Sequence, residues 1–349
     1  MVEWMLEKYV PEMGAAARQR ILYVFFPFIH GIYPYTTVAQ KQKDAMAQAG
    51  LPYVCQSAYA LTCSFLQKLL IFEEEQLHMQ KYKINEKGQA VPCAVFSIPQ
   101  EAFSAIAHTE IRWLGGAGVM LNIRGAVILV DPVLRGFDMP LLFDMPLQPE
   151  AIPHADAVLV THIDNDHFSR ETIKAFMPVC GAFHAPQYVA GEMRAAGIPG
   201  TGHDIHARFR VGDAQITLTP AKHNWQNGVP EFQYRVWNEE DYCGYWFDTP
   251  DGTIWLPGDS RLLPEHLSIP SPDVILFDFS DNDWHITLAG AICLANAYPQ
   301  AKLICIHWGT VDAPDMTPFN GNPDSLYDAV VNPERILPLC PGEAFTLHQ

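Results

Sequence analysis

Hydrophobic and polar positions change their pattern part-way along the chain. Up to about residue 107, segments such as TVAQKQKDAMAQAG and YALTCSFLQKLLIFEEEQLHMQKYK repeat apolar residues at helical spacing, with few β-branched runs. This predicts a mostly helical N-terminal region, broken at Gly31, Pro34, Gly50 and Pro52. From Glu110 the apolar runs become short and β-branched. IRWLGGAGVMLNIRGAVILVDPVL reads as two strands joined by a turn near Arg124-Gly125. AVILVDP is a continuous apolar run closed by Asp131, as expected of a buried strand with a carboxylate at its tip. AVLVT ends at His162, and SRETIKAFM predicts a helix capped by Ser169. A short strand over 179–184 and a helix over 187–196 follow. ITLTPAKH predicts a strand running to His223, and CGYWFDTPDGTIWLPGDS a hairpin that turns at Pro250-Asp251-Gly252 and ends in Asp259. VILFDFS reads as a strand, ITLAGAICLANAY as a helix, and AKLICIHWGT as a strand ending at His307. Strands, short helices and hairpins alternate, and His or Asp recurs just past strand ends, where layered α/β folds place their chemistry. The expected division is a helical region over 1–107 and an α/β domain over 108–349.

The densest local signal is THIDNDHFS, which sets His162, Asp164, Asp166 and His167 within one short loop after a strand. In such a loop alternate side chains can point to different sides and so serve two adjacent ions. A metal needs donors converging from several directions at about 2.0–2.3 Å, which one loop cannot supply. His223, Asp259 and His307 follow other strand-like runs far along the chain. A carboxylate such as Asp259 can bridge two ions, and a pair of ions can bring a water's pKa near neutrality, giving hydroxide for hydrolysis.

Taken in order, these segments resemble the motifs of the metallo-β-lactamase superfamily, over roughly Ile111 to His348. WLGGAGVMLNIRGAVILVDPV resembles the start of that domain, THIDNDH its H-x-H-x-D-H motif, and PAKHNW, WLPGDS and ICIHWGT its later His, Asp and His. The W-L-G start and the G-D-S strand end are similar to the branch of ascorbate-6-phosphate lactonase and N-acyl-phosphatidylethanolamine phospholipase D. The resemblance implies an αβ/βα four-layer sandwich with the helical N-terminal region as an addition. It implies a first metal on His162, Asp164 and His223, a second on Asp166, His167 and His307, and Asp259 between them. Asp131 would orient a ligand. The family's second His is Asp164 here. Two divalent ions are expected, zinc first; the carboxylate favours harder ions and so strengthens manganese or iron as alternatives, and an Asp164 that does not ligate, leaving one ion, is the other outcome this departure allows. The implied activity is hydrolysis of a small-molecule ester, lactone or phosphoester by a metal-bound hydroxide, with Asp166, Asp259 and His285 as catalytic residues. The alternatives are an iron-dependent oxidoreductase on the same fold and a non-catalytic ligand-binding homologue.

His285, in DNDWHITLAG, is read as a substrate contact or proton donor. Trp225 and Trp308 either wall a pocket or fill the core. His203 and His206 are read as surface or loop residues, and LGGAG as no phosphate loop, since no G-K-[ST] follows. The formal net charge of -17 opposes nucleic acid and anionic lipid as partners. Eight scattered cysteines without a C-x-x-C pair suit a reducing compartment. ILYVFFPFI is too short to span a bilayer, and Glu3, Glu7 and Glu12 do not suit a secretory leader. A cytoplasmic enzyme acting on a small molecule is the expectation, with a dimer contact as one role open to the N-terminal region.

Overall fold

The computed structural model describes residues 81–347. The helices expected before residue 81 lie outside the described residues. Residues 81–107 depart from the helical expectation. They form a hairpin of β1 (Tyr82–Ile84) and β2 (Ala90–Pro92), followed by a 3-10 turn over Gln100–Phe103. Turn chemistry explains this: the Asn85 side chain accepts from the backbone of Lys87 and Gln89, and Gly88 takes a φ of 81°.

Two seven-stranded sheets make the body of the molecule. One contains β3 (Glu110–Gly115), β4 (Gly118–Ile123), β5 (Ala126–Val130), β6 (Ala157–Leu159), β7 (Phe183–Pro186) and β8 (Gly200–His203), with β16 (Ala344–Thr346) at its far edge. The other contains β9 (Arg208–Val211), β10 (Ala214–Pro220), β11 (Cys243–Thr249), β12 (Gly252–Leu256), β13 (Val274–Phe277), β14 (Lys302–Cys305) and β15 (Ile336–Leu337). Strands β5 to β8 run parallel, as do β12 to β15. The stretch read as two strands from Ile111 is three. Gly115 and Gly116, at φ of 105° and 55°, turn β3 back into β4 as an extra hairpin, so LGGAG is a β-turn.

Alternation along the parallel strands builds the layers. Ile128, Val130, Ala157 and Leu159 face the second sheet, in one core with Ile216, Leu218, Tyr245, Phe247 and Ile254. Val127, Leu129, Val158 and Val160 face the other way. They meet Ile173 and Phe176 of α1 (Arg170–Phe176) and Val189 and Met193 of α2 (Gln187–Ala195). Burial on both faces is why these strands read as unbroken apolar runs. α3 (Leu288–Ala297) packs Ala291, Leu294 and Ala295 into the core of the second sheet. A short α4 (Asp324–Tyr327) follows. The expected αβ/βα sandwich is therefore the fold.

The arrangement puts strand ends together. Asp131 follows β5, His162 follows β6, His223 follows β10, Asp259 follows β12, Asp278 follows β13 and His307 follows β14. β10 and β12 both pair antiparallel with β11 and so point the same way. Polar side chains just beyond carboxyl ends thus face one crevice.

Candidate metal centre

His162, Asp164 and His223 converge in one group, and Asp166, His167, Asp259 and His307 in another. In the first, the Nε2 atoms of His162 and His223 each lie 3.4 Å from Asp164 Oδ2. In the second, His307 Nε2 is 3.2 Å and His167 Nε2 3.6 Å from Asp166 Oδ2. One oxygen, Asp259 Oδ2, faces four imidazoles: Nε2 of His167 at 3.0 Å, of His307 at 3.3 Å, of His285 at 3.6 Å and of His223 at 3.9 Å. Donors set tetrahedrally around an ion at about 2.1 Å stand roughly 3.4 Å apart. A good N–H···O hydrogen bond is shorter. His162 Nε2 is buried and has no hydrogen-bond partner among the described residues. The spacing, the unpartnered nitrogen and the mixed imidazole and carboxylate donors all fit divalent cations.

Every imidazole is held from behind. His162 Nδ1 is 3.0 Å from Thr161 Oγ1, whose own proton goes to Asp131 Oδ2. His167 Nδ1 meets Asp131 Oδ2 at 2.8 Å. His223 Nδ1 donates to Trp284 O at 2.9 Å and His307 Nδ1 to Pro318 O at 3.1 Å. His285 Nδ1 meets Asp278 Oδ2 at 2.7 Å. A proton fixed on Nδ1 leaves the Nε2 lone pair aimed inward, the tautomer a metal ligand requires. Asp131 thus holds His167 and the loop behind it. Asp164 is held as firmly: Trp225 Nε1 and Gln226 Nε2 each donate to it at 2.7 Å, and Tyr242 donates to Gln226 Oε1 at 2.5 Å.

Burial alone would raise the carboxyls here, but the imidazoles outweigh it. His162 and His223 hold Asp164 well below the ordinary carboxylate range. His167 and His307 hold Asp166 down to about 2 against the opposing charge of Asp259. His167, His307 and His285 hold Asp259 well below the ordinary carboxylate range against its burial. In return, burial pushes His307 down, while Asp259, Asp166 and Asp278 lift it to about 10. His167 and His223 also rise against their burial, lifted by the same carboxylates. His162 falls, through burial first and the neighbouring His167 second. Three clustered carboxylates, Asp259 buried and Asp164 and Asp166 half-buried, therefore demand positive charge. Divalent ions would meet that demand with every imidazole neutral.

Local backbone strain surrounds the centre. Asp131, Thr287 and His307 have φ of 44°, 60° and 62°, each of which costs on the order of 1–3 kcal/mol. Compensation is visible: Thr161 N bonds Asp131, the Thr287 hydroxyl caps Gly290 N, and His307 N donates to Gly116 O.

All seven residues proposed as ligands from the sequence meet here, and His285 joins them. Trp225 reaches Asp164, whereas Trp308 is buried and stacks on Trp113 at 5.3 Å. Asp281 accepts from Leu288 N at the start of α3, and Asp283 is exposed; neither enters a donor group. Sequence reasoning passed over Asp278, which groups with Asp259, His285 and His307. Its signal was present, since VILFD ends in an acid just as AVILVD does. Gln226 and Tyr242 carried no comparable signal.

The family profile of the β-lactamase superfamily domain matches residues 127–308, just over half of the chain. A UPF0173 metal-dependent hydrolase of Pyrobaculum arsenaticum is 30% identical over 162 residues, 44% of this chain. The chain spans 63% of that relative's length. A UPF0173 metal-dependent hydrolase of Nitratidesulfovibrio vulgaris is 26% identical over 256 residues, covering 69% of this chain and 96% of the relative. Among solved structures, Igni18, a metallo hydrolase from Ignicoccus hospitalis, is 16% identical with a TM-score of 0.52. It covers 70% of this chain and 100% of its own, a likeness of fold. The matched profile, the two packed sheets and the ordered strand-end His and Asp residues place the chain in the metallo-β-lactamase superfamily.

Proposed function

We propose that the chain is a metal-dependent hydrolase of a small-molecule ester, lactone or phosphoester, with its chemistry at the two donor groups. The observation that carries the reading is the inward convergence of Nε2 atoms on Asp164 and Asp259 at ion-ligand spacing, with His162 Nε2 otherwise unpartnered. Bound divalent ions supply Lewis acidity, which eases water ionisation and polarises the scissile carbonyl or phosphoryl oxygen. His162, Asp164 and His223 would hold one ion and Asp166, His167 and His307 another, with the Asp259 carboxylate facing both donor groups. Zinc suits the imidazoles; the carboxylate of Asp164 makes manganese or iron a competitor. Asp131 positions His167 and the THIDNDH loop. His285 opens Nε2 on the same centre while Asp278 secures its Nδ1. That arrangement suits a proton held for the leaving group. The motif resemblance to lactonase and phosphodiesterase relatives puts lactones and phosphoesters first in a substrate screen.

No helix among the described residues is long and apolar enough to cross a membrane. Six described cysteines are free thiols, which supports a cytoplasmic setting.

The test is hydrolysis of an ester, lactone and phosphoester panel by metal-loaded protein. Replacing His167 or Asp259 by Ala is expected to reduce turnover at least about a thousandfold, the scale of losing a principal catalytic group. Retained activity in either variant contradicts the reading.

A further inference from the structure

Strands β6, β7 and β8 run parallel, and the THIDNDH loop leaves the carboxyl end of β6. At the opposite end of these strands lies an open groove of about 470 Å3, within the range of about 300–1,000 Å3 common to ligand sites. Cys180 and Gly181 lead along it into β7, and Gly197, Ile198 and Pro199 lead from α2 into β8. Met177, Pro178, Cys180, Phe183, Ile198 and Pro199 give it apolar walls. A side-chain carbon at Gly197 would meet nothing within 4 Å, so the space beside it is open. The charged residue of the lining is Arg194, on the last turn of α2. Its Nη1 donates to Gly200 O at 2.8 Å, which leaves Nε and Nη2 for a ligand. Glu192 of the same helix pairs with Arg170 at 3.5 Å, and Arg194 has no carboxylate partner among the described residues. Nothing negative lines the groove. Cys180 Sγ donates to Ala182 O at 3.3 Å, and burial pushes this thiol up to about 11, so it stays neutral. The closing carbonyls of α2 are occupied as well: Arg194 O accepts from Gly197 N and Met193 O from Ile198 N.

We propose that this groove is a second binding site, separate from the metal centre, for a carboxylic acid with a short alkyl chain. Arg194 offers a planar fork to the carboxylate. Its bond to Gly200 O fixes that fork before a ligand arrives. The alkyl chain gains by leaving water along the apolar walls. A formal net charge of -17 repels anions from the surface at large, so an unpaired guanidinium beside an apolar groove is what selects the ligand here. A neutral alkyl compound lacks the ion pair, and an alkylammonium meets Arg194 as a like charge. The site needs neither bound ions nor turnover, so it stands apart from the hydrolase reading.

Two measurements test it on the full-length, metal-loaded protein. Calorimetry compares octanoate, octanol and octylamine. Octanoate is expected to bind saturably, and octanol and octylamine at least about tenfold more weakly. Arg194→Gln and Met177→Glu are each expected to weaken octanoate about tenfold, while Arg194→Lys, which keeps the charge, loses less. The second measurement places the ligand, because Cys180 lines the groove. Octanoate at about ten times its Kd is expected to slow alkylation of Cys180 by iodoacetamide about tenfold, read by peptide mass spectrometry. The exposed Cys93 and Cys293 should react at unchanged rates. Octanoate binding that is equal in Arg194→Gln and Met177→Glu, as it would be if held on the metal ions, overturns the site, and so does unchanged alkylation of Cys180. Octanol binding as tightly as octanoate overturns the anion preference. A dimer in light scattering that Met177→Glu dissociates and octanoate does not would make a second copy of the chain the occupant and contradict the proposal. Circular dichroism identifies a variant that has lost its fold; protection of Cys180 in the parent protein then still decides.

Discussion

Asp164 is where this chain departs from its family's motif, and its surroundings show how the departure is accommodated. A carboxylate in place of an imidazole brings extra negative charge and a harder donor. Trp225 and Gln226 bond both of its oxygens, and its Oδ2 still faces two imidazole nitrogens at 3.4 Å. Asp164→His is expected to shift the retained metal toward zinc when the protein is refilled from equal manganese and zinc. An unchanged ratio by elemental analysis would mean that this position does not set metal preference. The convergence of the candidate donors was largely legible in the sequence because each donor segment follows an apolar strand, and strand ends are readable as ends. Asp278 was passed over because its strand carries no histidine motif to draw attention to it. Gln226 and Tyr242 were illegible for a different reason. They reach Asp164 only through the path of the loop after β10, which no periodicity encodes.

At the scale of elements, turn chemistry decided both successes and misses. Ser169 caps α1 as expected, its side chain accepting from Thr172 N at 3.0 Å. Ser169→Ala should cost about 1 kcal/mol, read as a lower denaturant midpoint with unchanged slope. The hairpin at Gly115-Gly116 escaped notice because its glycines interrupt an apolar run that reads as continuous. The apolar spacing of the segment that ends at Lys83 carries residues 81–107 into the expected helical region, yet the Asx turn at Asn85 makes a hairpin there. The β11–β12 turn forms a clamp between the sheets. Asp251 accepts from Thr109 N and Oγ1 at 2.8 Å and pairs with Arg124. Arg124 first, then Thr109, outweighs desolvation and holds this carboxyl well below its ordinary 3.8. The unfolded chain therefore binds a proton more readily than the folded one, so the clamp's contribution is present above about pH 4 and is lost as pH falls below it. Asp251→Ala should destabilise by about 2 kcal/mol at neutral pH, and the gap from the parent should close as pH drops toward 3. A gap that stays constant with pH would mean that the charge of Asp251 contributes nothing.

At the scale of the molecule, the parallel halves of two sheets point their carboxyl ends at one crevice, and residues from six strand ends meet there. The carboxylates gathered at that crevice would tie stability to cation binding. A ligand that binds only the folded state at a hundred times its Kd adds about 2.7 kcal/mol, so exhaustive chelation should lower the thermal midpoint by several degrees and readdition should restore it. The fold class was legible because alternating strands and helices with buried, unbroken apolar runs leave few other layered solutions. The most direct test of the account is metal content per chain by elemental mass spectrometry, on protein purified without chelator and again after reconstitution. The account predicts close to two divalent ions per chain, with about one lost in His162→Ala. Protein that takes up no ion after reconstitution would contradict it.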